Sequence, residues 1–362
     1  MAYNSINIDE FLGLSKKHPI LDVRSPSEFQ HAHIPGSFSF PLFDDDERKI
    51  VGTIYKQVNK ELAIKKGLEF FGPKMHKMIE SAEQIQNSFY NIHTATNNIP
   101  RRFLVHCWRG GMRSAAISWL LDLYGYKVDT LIGGYKSYRS IVRHKFNDRI
   151  KFKLIGGYTG SGKTDLLNIL KQMKQPVIDL EELAGHRGSA FGAIGLPAQP
   201  SQEMFENKIF DNIYSKQPQN DETNNHDYEI FIEDESQRIG TVNIPQELWE
   251  NMRIQPMYFL EIPFEKRLQY ILETYGKLDR SALIASISRI QKRLGGLETK
   301  NAILALLEND TRKSFEILLR YYDKQYDKAL LKRNIYAGQI KYVKREDIFS
   351  KKDQGEIISI FK

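Results

Sequence analysis

Two α/β domains, each built on a mostly parallel sheet, are the fold class that the sequence predicts. They span residues 1–147 and 148–362, and the second carries a helical C-terminal extension. Three observations predict this. Short apolar runs that read as buried strands alternate with segments of helical periodicity, the pattern of a parallel sheet covered on both faces. The length of 362 residues suits two domains better than one. The alternation also restarts near residue 150, where a new strand leads into a glycine-rich turn.

In the first domain, residues 19–24 read as a buried strand. Ser25 then caps a helix that opens with Pro26 and carries Glu28 in its first turn, near the positive end of the helix dipole. Residues 56–95 have helical periodicity, 103–106 form the next strand, and 114–123 form a largely apolar helix. A strand at 127–131 closes on Gly133-Gly134, and 136–145 reads as a basic helix. In the second domain the strand 152–155 is followed by the glycine-rich turn and a helix from Lys163 to about Met173. Three further buried strands are expected at 176–179, 228–232 and 256–260, with a polar loop at 217–227. Residues 264–333 are helical, broken near Gly276 and Gly295-Gly296, and 340–343 suits a late strand.

Composition excludes several classes. A hydrophobic fraction of 41% with 20 Phe and 18 Tyr is enough to build cores, so wholesale disorder is excluded. No run approaches the length of a membrane span. The opening Met1-Ala2-Tyr3-Asn4 has no charged region leading into an apolar run, which predicts no secretory leader. A single cysteine cannot form an internal disulfide or a cysteine-rich metal site and predicts a cytoplasmic protein. Residues 1–150 hold 21 basic and 15 acidic side chains, against 31 and 30 in the remainder, so the excess of +7 sits mainly in the first half. Such a half-chain favours anionic partners, nucleic acid among them.

Two loops carry chemistry. Gly157-Tyr158-Thr159-Gly160-Ser161-Gly162-Lys163-Thr164 matches G-x-x-x-x-G-K-[ST] between a strand and a helix. Glycines let successive amides turn toward an anion, the helix N-terminus adds positive potential, and Lys163 adds a full charge. Gly157, Gly160, Ser161, Gly162, Lys163 and Thr164 are the expected phosphate-binding residues. Thr164 and Asp234, the latter among the acids at the end of an apolar strand, are the expected ligands of an accessory Mg²⁺. Asp179 is a second candidate carboxylate. The other loop is His106-Cys107-Trp108-Arg109-Gly110-Gly111-Met112-Arg113-Ser114. A strand delivers the only thiol into a turn whose amides converge on the sulfur, which lowers a thiol pKa and forms an anion pocket beside the nucleophile. Arg113 can grip an oxyanion bidentately and Arg109 adds charge. Cys107, Arg109 and Arg113 are therefore the expected catalytic set.

The first domain resembles the rhodanese family in Asp22-Val23-Arg24, Glu28-Phe29, His33-Ile34-Pro35-Gly36 and the closing Gly133-Gly134-Tyr135. Sulfurtransferases of that fold use a six-residue loop from the cysteine. Here Cys107 to Arg113 is seven residues, Cys-x5-Arg, as in the phosphatase branch, which favours a phosphate-shaped substrate. The second domain is P-loop NTPase-like. With His186 to Gly192, Glu233-Asp234-Glu235-Ser236 and Arg293-Leu294-Gly295-Gly296, nearly the whole chain resembles the tRNA 2-selenouridine synthase family, most specifically at Cys107 to Ser114.

That resemblance implies a transferase that replaces sulfur by selenium in 2-thiouridine at the tRNA wobble position. Selenophosphate is the implied selenium donor, and S-geranyl-2-thiouridine, made from geranyl diphosphate, the implied intermediate. It implies a tRNA partner, a supply of selenophosphate, no tightly bound cofactor and no membrane. The cysteine would attack or carry selenium, or only position its donor. A diphosphate suits the glycine-rich loop without ATP hydrolysis. A path for tRNA is expected on Lys136, Arg139 and Arg143, at i, i+3 and i+7 of one helix, with Tyr135 and Tyr138 able to stack on bases. Arg289, Lys292 and Arg293 form a second basic helical cluster. The competing readings are a Cys-x5-Arg phosphatase or sulfurtransferase with a regulatory P-loop domain, and a nucleotide-dependent kinase with an inert first domain.

Overall fold

The computed structural model describes residues 4–93, 100–214, 229–333 and 340–361. The chain divides into two compact units, Met1–Lys145 and Phe146–Lys362. Both are of the predicted α/β class.

The first unit contains β1 (Asn4–Ile6), β2 (Ile20–Asp22), β3 (Phe38–Ser39), β4 (Arg102–His106) and β5 (Lys127–Leu131) in the order β1-β5-β4-β2-β3. All neighbours pair in parallel. Its helices are α1 (Ile8–Ser15), α2 (Pro26–His31), α3 (Asp45–Gln57), α4 (Lys60–Phe71), α5 (Met75–His93), α6 (Met112–Leu123) and α7 (Gly134–Lys145). The central strands β2 and β4 are almost wholly buried, as a sheet covered on both faces requires. Leu21, Val23, Phe103, Val105, Ile117 and Leu121 form the centre of this core. The long helical stretch expected at 56–95 is cut into separate helices at two places. Asn59 accepts the amide of Leu62 and starts α4, and a short 3-10 turn at Gly72–Lys74, which contains Pro73, separates α4 from α5. Residues 94 and 95 lie outside the described residues.

The second unit contains β6 (Phe152–Gly157), β7 (Val177–Ile178), β8 (Ile230–Glu233), β11 (Met257–Glu261) and β12 (Ile340–Lys344), ordered β12-β11-β6-β8-β7 and parallel throughout. A small antiparallel ladder joins β9 (Arg238–Ile239) to β10 (Val242–Asn243). The helices near the sheet are α8 (Lys163–Gln172), α9 (Leu180–Ala184), α10 (Gln202–Tyr214), α11 (Gln246–Arg253) and α17 (Gln354–Phe361). A helical layer, α12 (Phe264–Tyr275), α13 (Arg280–Arg289), α14 (Gln291–Leu294), α15 (Gly296–Leu307) and α16 (Thr311–Arg333), has its own core around Leu268, Ile287, Leu306, Phe315 and Leu319. The polar loop expected at 217–227, and Tyr228 of the strand expected at 228–232, lie outside the described residues.

Two expected surfaces are corrected. In α7 the core face is Tyr135, Tyr138, Arg139 and Val142, all buried. Arg139 therefore belongs to the core face, and neither tyrosine is open to stack on a base; Lys136 and Arg143 are exposed. Arg289, Lys292 and Arg293 are also exposed, but they do not share one helix, because α13 stops at Arg289 and α14 starts at Gln291.

Candidate functional site

In the first unit, β4 carries His106 at its end, and the chain then turns around the thiol of Cys107, which is 3% exposed. The turn depends on glycine. Gly110 and Gly134 both have positive φ, and a Cβ on Gly134 would collide with the carbonyl of Cys107 and the amides of Arg109 and Gly110. That closeness lets the first turn of α7 clamp the loop. The amides of Tyr135 and Lys136 donate to the carbonyls of Cys107 and Trp108 at 2.8 and 3.0 Å.

The sulfur is surrounded by donors. The Gly111 N–H donates to Sγ at 3.2 Å, and Ser114 Oγ lies 3.4 Å away. The Ser114 hydroxyl also bonds the Gly111 carbonyl at 2.9 Å, so it can turn its proton to whichever acceptor is more negative. Burial pushes the thiol pKa up, but the Ser114 hydroxyl and the amides of Gly111, Ser114 and Arg109 outweigh it and hold the pKa below its ordinary value. Arg113, in the first turn of α6, donates to Glu28 Oε2 at 2.7 Å, with Arg48 on the same carboxylate at 3.8 Å. Burial would raise the Glu28 pKa; the Arg113 contact more than offsets this and keeps it ionised. Arg109 is exposed at the loop's outer edge. Beneath the loop, Asp22 holds Arg24 at 2.6 Å in full burial.

In the second unit the glycine-rich loop runs from β6 into α8. Gly160 and Gly162 have positive φ, and a Cβ on Gly162 would strike Ile348. Lys163 Nζ donates to the Gly157 carbonyl at 2.9 Å, folding its ammonium back over the loop. Ser161 is buried, and Thr164 stands in the first turn of α8. The helical layer fastens this loop. Arg267 donates to the Thr159 carbonyl at 3.2 Å and is held by both oxygens of Asp323 at 2.9 and 2.7 Å. The Tyr158 hydroxyl donates to Asp327 at 2.7 Å. The Tyr326 hydroxyl accepts the Gly157 amide at 3.3 Å and donates to Asp234 Oδ2 at 3.0 Å.

Carboxylates gather around Lys163. Glu233 ends β8 and accepts the Glu181 amide at 2.7 Å. Burial, then the charge of Glu235, pushes the Glu181 carboxyl up to about 8 against the attraction of Lys163. Glu235 is pushed up to about 7 by burial, with Lys163 opposing and Asp234 adding repulsion. Arg187, in the loop between α9 and α10, also draws on Glu181. Asp179 caps α9 by accepting the Glu182 amide at 2.7 Å. Sequence reasoning passed over Glu181, Tyr326, Asp323 and Arg267. The one available signal was the acidic string that follows β7. Among the described residues no group of three or more His, Cys, Asp or Glu side chains is arranged to hold a metal. The hard oxygens of Thr164 and Asp234 nonetheless suit Mg²⁺, which commonly binds through one or two side chains plus substrate phosphates.

No helix among the described residues is long and apolar enough to cross a membrane. Residues 7–141 match the rhodanese-like domain family, and residues 150–349 match the family described as the tRNA 2-selenouridine synthase AAA domain. The chain is 33% identical over 321 residues to a tRNA 2-selenouridine synthase of Nitrosomonas europaea, covering 87% of this chain and 78% of that protein. A Pseudomonas putida enzyme of the same name is 33% identical over 85% of this chain and 88% of its own length. One from Shewanella denitrificans is 32% identical over 91% and 93%.

Proposed function

The chain belongs to the tRNA 2-selenouridine synthase family, and from that premise we propose that it exchanges sulfur for selenium in wobble 2-thiouridine in two steps, each served by one of its two anion cradles. One observation carries the reading. A thiol ringed by amide donors lies at the base of an arginine-bearing loop, in a chain that also builds a complete phosphate-binding loop.

In the first step the thiocarbonyl sulfur attacks C1 of geranyl diphosphate. An S–C bond forms, the C–O bond breaks with its electrons leaving on diphosphate, and N3 of the base loses its proton. The allylic carbon gains cation character, so stabilising the departing diphosphate is the main catalytic demand. Lys163 and the amides from Gly160 to Thr164 are suited to it. Mg²⁺, when bound, would neutralise further phosphate charge, and Thr164 and Asp234 are the residues that would hold it.

In the second step the Cys107 thiolate attacks the phosphorus of selenophosphate, with Arg109 and Arg113 on the phosphate oxygens. The S–P bond forms, the P–Se bond breaks, and hydrogen selenide leaves after taking a proton from water. Selenium then adds to C2 of the S-geranyl base, and the C2–S bond breaks to release geranylthiolate. Water cleaves the S–P bond, releasing phosphate and restoring the thiolate. No atom changes oxidation state, so the sequence needs no external oxidant or reductant. Lys136, Arg143, Arg289, Lys292 and Arg293 supply the exposed charge for tRNA phosphates, and binding through them weakens with salt.

Mass spectrometry of wobble nucleosides in cells with and without the gene tests the reading. Deletion should abolish 2-selenouridine. An unchanged 2-selenouridine content would overturn the proposal.

A further inference from the structure

Beside the Cys107 loop lies a cleft of about 780 Å³. One wall is the loop itself, from Cys107 to Arg109 and from Gly111 to Arg113. The other walls come mainly from α3, α4 and the segment just before α3, and are mostly apolar, with Phe43, Val51, Tyr55, Ile64, Leu68 and Phe71 lining them beside Lys56. Tyr55, Ile64 and Leu68 keep 50%, 41% and 55% of their surface exposed, an uncommon density of large apolar groups on one face. Arg48 adds cationic charge to this lining, and Glu28 bridges it to Arg113.

Selenophosphate fills only the polar end of such a space. The volume lies in the range of sites that take a drug-sized ligand. An apolar trough continuous with an anion cradle matches a ligand that joins a hydrocarbon chain to a polar reacting centre. Resting on the two-step reading above, we propose that this cleft holds the geranyl chain of S-geranyl-2-thiouridine, so that the first unit recognises its substrate by the alkyl group on sulfur. The chain would lie along α3 and α4, with C2 of the base turned toward the Cys107 cradle.

The test uses the full chain and anticodon stem-loop RNAs carrying S-geranyl-, S-prenyl- or S-methyl-2-thiouridine. Binding is measured by fluorescence anisotropy, independently of turnover. The wild-type chain should bind the geranyl RNA at least about tenfold tighter than the methyl RNA, with the prenyl RNA between them. Leu68→Glu and Ile64→Glu, at exposed positions where folding tolerates charge, should collapse this chain-length dependence, and Leu68→Met should keep it. A general folding defect would instead weaken all three RNAs alike. Equal binding of geranyl and methyl RNAs by the wild-type chain overturns the proposal. So does a preference that survives both glutamate variants, or a loss confined to free geranyl diphosphate. Failure of the wild-type chain to convert the geranyl RNA to 2-selenouridine, with the binding preference intact, would overturn the two-step reading and leave the cleft assignment standing.

Discussion

The guanidinium of Arg24 lies 3.8 Å from the centroid of the Tyr135 ring. It also donates to Asp22 at 2.6 Å and to the Ala32 carbonyl at 2.7 Å, all beneath the Cys107 loop. The segment after β2 and the start of α7 are thus tied under the thiol by one buried cation. Removing that cation leaves the Asp22 carboxylate buried, with His106 at 3.8 Å as its nearest remaining basic group. Arg24→Ala is predicted to cost about 3–5 kcal/mol in denaturant unfolding, the scale of breaking a buried ion pair. Arg24→Lys should recover only part, since an ammonium reproduces neither the bidentate contact nor the stacking. A cost below about 1 kcal/mol would mean that water replaces the guanidinium.

The donors around Cys107 predict a pH dependence. Its pKa is held below the ordinary thiol value, so the thiolate is present at lower pH than in a free cysteine. Alkylation of Cys107 by iodoacetamide should rise with pH to a plateau, with a midpoint below that of a free thiol. Ser114→Ala removes the hydroxyl at 3.4 Å and should move the midpoint upward, with selenium transfer at neutral pH several-fold slower. An unmoved midpoint would assign the shift to the amides alone.

Both loops were legible in the sequence because each is a short string whose glycines, cations and nucleophile stand together between a strand and a helix. What surrounds them was not, because it comes from distant segments. Tyr326 reaches the glycine-rich loop directly, and Asp323 acts on it through Arg267, both from α16 more than 150 positions along the chain, and no local pattern marks them. Arg139 shows the limit of helical spacing. Lys136, Arg139 and Arg143 do recur at i, i+3 and i+7, yet Tyr135, Tyr138 and Val142 set the core stripe, and Arg139 falls on its edge. The cleft was invisible for a related reason. Most of its apolar residues sit on α3 and α4, where periodicity marks an apolar face without showing that this face stays partly open.

Glu181 and Glu235 predict how the second unit responds to pH. Their folded pKa values, about 8 and about 7, exceed the ordinary carboxylate value of 4.5. Between these limits the folded chain keeps protons that the unfolded chain has lost. Stability from these groups therefore falls as pH rises from about 4.5 to about 8. Glu181→Gln, which stays neutral throughout, should flatten that fall in denaturant midpoints measured across the range. Affinity for a diphosphate should likewise weaken at high pH in the wild-type chain and less so in the variant. A wild-type midpoint that does not decline over this interval would show that the carboxyls ionise without penalty.

Lys163 tests which loop carries the diphosphate. Its ammonium already leans over the loop toward the Gly157 carbonyl, ready to exchange that contact for a phosphate oxygen. Lys163→Ala should weaken geranyl diphosphate binding and transfer by roughly 1–3 kcal/mol, the scale of a charge-assisted contact. Geranyl transfer to 2-thiouridine tRNA is the measurement. Unchanged transfer would move the diphosphate site elsewhere.

Cys107 separates the two steps. The proposed geranyl step uses the glycine-rich loop and the tRNA, whereas the selenium step needs the thiolate to take the phosphoryl group. Cys107→Ala should therefore block 2-selenouridine formation while S-geranyl-2-thiouridine persists or accumulates, as read by nucleoside mass spectrometry. The wild-type chain, quenched during turnover with selenophosphate, should carry one phosphoryl group on the peptide containing Cys107, and the variant none. Because Cys107 is the single thiol in the chain, no other cysteine can substitute for it or resolve the intermediate, so water must complete the cycle. Wild-type selenium incorporation in the variant would make the cysteine structural. Loss of both activities, in a variant that still unfolds cooperatively at the wild-type midpoint, would mean that the two steps share one site. Block of the selenium step with no phosphoryl group trapped in the wild-type chain would favour direct attack by selenium on C2, with Cys107 holding the donor.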